Sequence, residues 1–94
     1  MYATLEQIKR ANRAHGHHFF SPDTMRFFRS RIAPGVIGGR YFITSEQFDE
    51  RSPRLYSIRV ANDDGSVDRV GDFQYYPSLQ AARKAARAMV NGDA

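Results

Sequence analysis

At 94 residues the chain falls in the range of a single domain, and with 41% hydrophobic and 26% charged residues its composition is that of an ordinary globular protein, clear of the disordered and membrane classes. It has no cysteine, which excludes a disulfide scaffold, a thiolate metal centre and a cysteine nucleophile, and fits a reducing cytoplasm. Its net charge is +4, and the first residues, Met1 to Lys9, lack the pattern of a signal peptide. No run of eighteen apolar residues occurs, so a cytoplasmic protein that does not engage a membrane is expected.

Thr4 followed by Gln7 is a capping-box pattern, and Leu5, Ile8, Ala11 and His15 recur at helical spacing up to Gly16, which predicts a first helix over residues 4 to 15. Ser21, Pro22 and Asp23 supply a hydroxyl cap, a proline at the first helical position and an acid in the first turn. The second helix that follows should bury Met25, Phe28 and Ile32. Pro34-Gly35 and Gly38-Gly39 then separate this helical half from the rest.

From Arg40 the period changes to two. Tyr41 and Ile43 alternate with Phe42 and Thr44 in a first strand, closed by the polar stretch Glu46 to Arg54. Leu55 to Ala61 reads as a second strand with Tyr56, Ile58 and Val60 on one face. Asn62-Asp63-Asp64-Gly65 is a hairpin turn, since these residues tolerate left-handed backbone. A third strand runs from Val67 to Phe73, with a bulge at Gly71. Ser78 caps a last helix with Leu79, Ala82, Ala86, Met89 and Val90 along one side, ended by Asn91-Gly92. The expectation is an α+β domain over residues 1–94 in the order ααβββα: a three-stranded antiparallel meander, the last helix packed on it through small side chains, and the helical pair at its side.

Charge is unevenly placed. Residues 1–31 carry a local +4, residues 32–77 carry −2, and residues 78–94 carry +2. The basic side chains cluster by helix: Lys9, Arg10 and Arg13 on the first, Arg26 and Arg29 on the second, Arg83, Lys84 and Arg87 on the third. Such flanks suit DNA or RNA phosphates, because guanidinium forks match phosphate oxygens and several contacts together release counterions. A solvated outer helix face accounts for the same pattern.

Phe19, Phe20, Phe27 and Phe28 form an aromatic group beside Arg26 and Arg29, which suits either core packing or the stacking of unpaired bases. Adjacent rings on a helix point in different directions, so a ring left outside would serve a protein interface or a homodimer contact. Candidate interface rings are Phe19, Phe20, Phe27 and Tyr75; Tyr75 and Tyr76 stand at the junction of sheet and last helix.

His15, His17 and His18 are the only histidines, but their spacing is not that of ligands on one helix face, and no metal or other cofactor is expected. Asp63, Asp64 and Asp68 belong to the hairpin and lack the twelve-residue calcium pattern. No nucleophile elbow, zinc-protease motif, phosphate loop or dinucleotide fingerprint occurs, and Ser45 and Glu46 have no histidine at a supporting spacing. A non-catalytic binding module is therefore expected rather than an enzyme.

The segment RLYSIRVANDDGSVDRVGDFQYYPSLQAARKAARAMV resembles, in architecture, the three-strand-plus-helix domains at the N-termini of phage integrases. With the first helix it is similar to double-stranded RNA-binding domains, although the Gly-Pro loop and histidine of that family are absent and its lysine cluster is only echoed by Arg83, Lys84 and Arg87. Both resemblances cover residues 40–90 and imply nucleic-acid binding. HHFFSPDTMRFFRSRI and YFITSEQF look like small uncharacterised proteins of phages and plasmids of GC-rich bacteria. That resemblance implies a nucleic-acid accessory protein of a mobile element. Its alternative is an inhibitor of a host defence or regulatory complex, of anti-CRISPR or anti-restriction type, acting by protein contact.

Overall fold

The computed structural model describes residues 1–71 and 75–92. Seven elements follow in chain order: α1 (Leu5–Ala14), α2 (Pro22–Phe27), β1 (Arg31–Ile32), β2 (Tyr41–Glu46), β3 (Leu55–Ala61), β4 (Val67–Val70) and α3 (Leu79–Val90). The strands form one antiparallel sheet in the order β1-β2-β3-β4.

The helix starts obey the local capping chemistry. Thr4 Oγ1 accepts the Gln7 amide, Ser21 Oγ that of Thr24, and Ser78 Oγ that of Ala81, so each start has an orphan N–H satisfied by a hydroxyl. Gln7 reaches back one residue further than a standard capping box and accepts the Ala3 amide at 2.7 Å.

Several expectations need correction. A fourth strand is present: Ile32, expected on the buried stripe of the second helix, pairs with Thr44, while Arg31 pairs with Ser45. The helix stops at Phe27 because Arg29 turns to a left-handed φ of 51°, after which the Ser30 amide closes back onto the Met25 carbonyl at 2.8 Å. Phe28 is consequently exposed rather than buried. At the far edge β4 spans Val67–Val70, and Gly71 follows at φ 75°. Phe73, expected in this strand, lies outside the described residues.

The helices also lie differently. Consecutive strand residues face opposite sides of a sheet. Ile43 and Ile58 pack on Ala82 and Ala86 of α3, whereas Phe42 and Ala61 pack with Ile8 of α1. The sheet is thus covered on both faces, by α3 on one and by α1 with Phe19 and Phe20 on the other. Fully burying Ile8, Phe42, Ile43 and Ile58 is worth about 1.5–3 kcal/mol each. The methyl side chains of Ala82 and Ala86, both fully buried, allow α3 to lie close to the strands, as expected.

The hairpin between β3 and β4 docks on α1. Asn12, on the buried stripe where Ala11 had been expected, donates from Nδ2 to the Gly65 carbonyl at 2.8 Å. Gly65 is itself buried at φ 80° against the α1 backbone, and the neighbouring turn is closed by Asp64 Oδ1, which accepts from both the amide and the hydroxyl of Ser66. Those two bonds hold the Asp64 carboxyl down at about 2.

A Cβ on Gly65 would run into the Ala11–Asn12 peptide and lie 2.7 Å from the Ala11 carbonyl oxygen. Left-handed strain of about 1–2 kcal/mol adds to an overpacking cost of about 1–3 kcal/mol. Gly65→Ala should therefore destabilise the domain by about 2–5 kcal/mol, read as a lower urea midpoint. An unchanged midpoint would show that the hairpin does not seat on α1.

Candidate nucleic-acid interface

The eight cations expected on helix flanks do not form one surface. Lys9, Arg10 and Arg13 belong to α1 and Arg83, Lys84 and Arg87 to α3, and these helices cover opposite faces of the sheet. Arg83 is further committed to the fold, donating from Nη2 to the Pro34 carbonyl at 3.1 Å.

What the structure does bring together surrounds α2. At the N-terminal end of this helix, Lys9, Arg13, His17 and His18 join Ser21 and Pro22 in lining a cleft of about 410 Å³, with Glu6 as its one carboxylate. At the C-terminal end, Arg26, Arg29, Arg31 and Arg54 line a second cleft of about 570 Å³ with Met25, Phe27, Ser30 and Gln47, and with no carboxylate among the described residues. The six-residue helix separating them is roughly 9 Å long at 1.5 Å per residue.

The second cleft is built by side chains distant in sequence. Arg54 Nη1 donates to the Arg29 carbonyl at 3.0 Å and to the Ser45 carbonyl and hydroxyl at 2.9 and 3.0 Å, while Nη2 donates to Gln47 Oε1 at 3.1 Å. Ser30, the next residue after Arg29, donates its hydroxyl to Glu46 Oε2 at 3.2 Å. Glu46 is buried, accepts also from Ser57, and lies 3.6 Å from Arg59 Nη2. Arg59 in turn donates from Nε to Thr44 Oγ1 and rests 5.3 Å from the Phe19 ring centre. Burial holds the Arg59 guanidinium below the usual arginine range despite the Glu46 charge, and burial followed by the nearby charge of Arg31 does the same to Arg54.

Arg26, Arg29 and Arg31 are exposed. Arg26 has Asp23 at 3.8 Å, an exposed pair of the kind worth about 0–1 kcal/mol on a protein surface. Neither Arg29 nor Arg31 has a carboxylate within ion-pair distance among the described residues. Asp49 and Glu50 line the adjoining recess beside Arg29 and Arg51.

A family model described as "Family of unknown function (DUF7447)" matches residues 4–87. The chain belongs to this family. Comparison with curated proteins found no match, and neither did comparison with solved structures. The segment matched to DUF7447 runs from the cap of α1 through Arg87 of α3, so it contains both clefts and both helical faces.

The expected interface rings divide. Phe19 and Phe20 stack edge-to-face at 4.9 Å and pack on Phe42, half-buried in the core beneath α1. Phe27 is 80% exposed and Tyr75 63% exposed. Phe48, inside the stretch expected to be polar, is 85% exposed. Among the described residues no group of three or more His, Cys, Asp or Glu is placed to hold a metal ion, and no helix is long and apolar enough to cross a membrane. Ser45 and Glu46 are buried and spent on Arg54, Ser30 and Ser57.

Arg31 and Arg54 escaped the sequence reading because neither lies on a helix. Arg54 is 25 residues from the carbonyl it holds, a contact that no local spacing announces.

Replacing Arg54 removes four hydrogen bonds from a charged donor. With net values of about 1.5–3 kcal/mol for a charged bond and strong non-additivity, Arg54→Met should cost about 2–4 kcal/mol in urea unfolding. Wild-type stability in this variant would mean that the α2–β1 turn is held by other contacts.

Proposed function

We propose that this domain is a non-catalytic nucleic-acid-binding module whose binding surface is the α1–α2 side, centred on the C-terminal end of α2. The observation that carries this reading is the cleft lined by Arg26, Arg29, Arg31 and Arg54, with no carboxylate in its lining among the described residues. Planar guanidiniums that converge on an open recess match phosphate oxygens in geometry and charge. Lys9 and Arg13 at the other end of the same short helix extend the positive surface. Contacts of this kind supply affinity more than sequence preference. A role as a cytoplasmic accessory protein of a phage or plasmid accords with that chemistry.

A second reading, recognition of a host protein complex, is favoured by the large rings left in solvent at Phe27, Phe48 and Tyr75. Buried aromatic anchors dominate protein interfaces, with arginines at the rim. It predicts affinity for a protein that outlasts moderate salt.

The salt dependence of oligonucleotide binding decides between them. In fluorescence polarisation over a salt series, the wild type should weaken steeply. The double variant Arg26→Ala/Arg29→Ala should lower the log–log slope by about 2, roughly one for each phosphate left without its arginine. Lys84→Ala/Arg87→Ala, on the opposite face, should leave the slope unchanged. No binding at low salt, or an equal loss from the α3 pair, would defeat the assignment.

A further inference from the structure

Phe27 lines the arginine cleft, yet its ring is among the most exposed apolar groups of the molecule. It is not loosely placed. It meets the Phe28 ring edge-to-face, with centroids 4.8 Å apart and planes at 80°. In an edge-to-face pair the ring offering its edge keeps both faces free and the ring offering its face keeps one, so Phe27 retains at least one face for a ligand. Further exposed groups stand next to cleft residues in sequence. Phe48 follows Gln47 of the cleft wall, and Arg26 and Arg29 flank the Phe27-Phe28 pair in sequence.

A flat apolar face beside several guanidiniums has a specific complement: a planar base whose own phosphate lies a few ångströms away. In a duplex the base faces are hidden in the stack and only edges and backbone are offered, so phenyl rings standing in solvent gain nothing there. An unpaired base supplies both the face and the phosphate. The cleft also contains its own driving force for an anion. Arg54 turns its guanidinium donors to the Arg29, Ser45 and Gln47 oxygens; burial holds it below the usual arginine range and the charge of Arg31 adds to this, with the Glu46 carboxylate acting the other way. An entering phosphate relieves that repulsion without disturbing the four bonds that hold the turn.

Resting on the reading of this side as a nucleic-acid surface, we infer that its ligand is single-stranded nucleic acid, with an unpaired base stacked on Phe27 and the adjoining phosphate held between Arg26, Arg29 and Arg31. Arg54 is then a positioning residue. It fixes the Arg29 carbonyl, and through it the direction in which the Arg29 side chain leaves the turn. Phe48 offers a second stacking face on the neighbouring loop.

The test is anisotropy with a labelled oligothymidylate of about twelve nucleotides, within the footprint of small single-strand-binding domains, alongside a blunt duplex of the same length. The proteins are wild type, Phe27→Ala, Phe27→Tyr and Arg26→Ala/Arg29→Ala, each first shown by urea unfolding to be folded. At about 1–3 kcal/mol per stacked base, Phe27→Ala should bind the single strand between about five- and 150-fold more weakly. Phe27→Tyr should bind close to wild type, and the duplex should bind more weakly and be indifferent to residue 27. A 2-aminopurine base in the strand should change its emission on binding wild type and not on binding Phe27→Ala. Equal affinity for strand and duplex, or no loss in Phe27→Ala, overturns the single-strand inference. The electrostatic reading survives that result if Arg26→Ala/Arg29→Ala still binds more weakly. No binding of either oligonucleotide at low salt overturns both and leaves the exposed rings to a protein partner.

Discussion

The turn from α2 into β1 is held by the half-buried Arg54 just before β3 and the buried Glu46 of β2, and the character of the exposed surface follows from it. Arg54 takes the carbonyl of Arg29, and Glu46 takes the hydroxyl of Ser30. A non-glycine residue in the left-handed region is unfavourable by about 1–2 kcal/mol, and Arg29 stays there because its carbonyl is fixed from β3's entry and its neighbour from β2's end. That single reversal ends the helix, sends Ile32 into the sheet as a fourth strand, and leaves Arg26, Phe27, Arg29 and Arg31 in solvent around one recess.

Beneath the turn lies a polar core layer. On the face of β2 and β3 away from α3, Thr44, Glu46, Ser57 and Arg59 stand where an ordinary core would place aliphatic side chains, and all but Arg59 are fully buried. Each finds a partner within the layer, which is the condition for buried polarity to be tolerated. Ion pairs of this kind are weak contributors to stability but strict about geometry. Here they define where α2 stops. The opposite face, with Ile43, Ile58, Ala82 and Ala86, is conventional apolar packing.

Local signals carried much of the fold. Thr4, Ser21 and Ser78 announce helix starts because capping is a contact within three residues, and Asn62 to Gly65 announces a hairpin for the same reason. β1 could not be read this way: two residues acquire strand geometry only from Thr44 and Ser45. Coverage of both sheet faces was not legible in β2: Phe42, Ile43, Thr44 and Ser45 are all buried, but the run turns polar after Ile43, where a strand enclosed on two sides usually stays apolar. At the site, Arg26, Arg29 and Phe27 were legible from their clustering on a helix. Arg31 and Arg54 were not, since their membership depends on a turn closed by contacts across 16 and 25 residues. Phe19 and Phe20 look equivalent to Phe27 in sequence, but they precede the cap at Ser21 and fall beneath α1.

The central claim is that the surface around α2, and not the cationic face of α3, meets a polyanion. Amide chemical shifts of the labelled protein, followed during titration with a short single-stranded oligonucleotide at low salt, report on it residue by residue. The account predicts that perturbations concentrate at residues 26–31 and 47–54 while Leu79–Val90 stays quiet. Perturbations centred on Leu79–Val90, or a spectrum unchanged by the oligonucleotide, would contradict it.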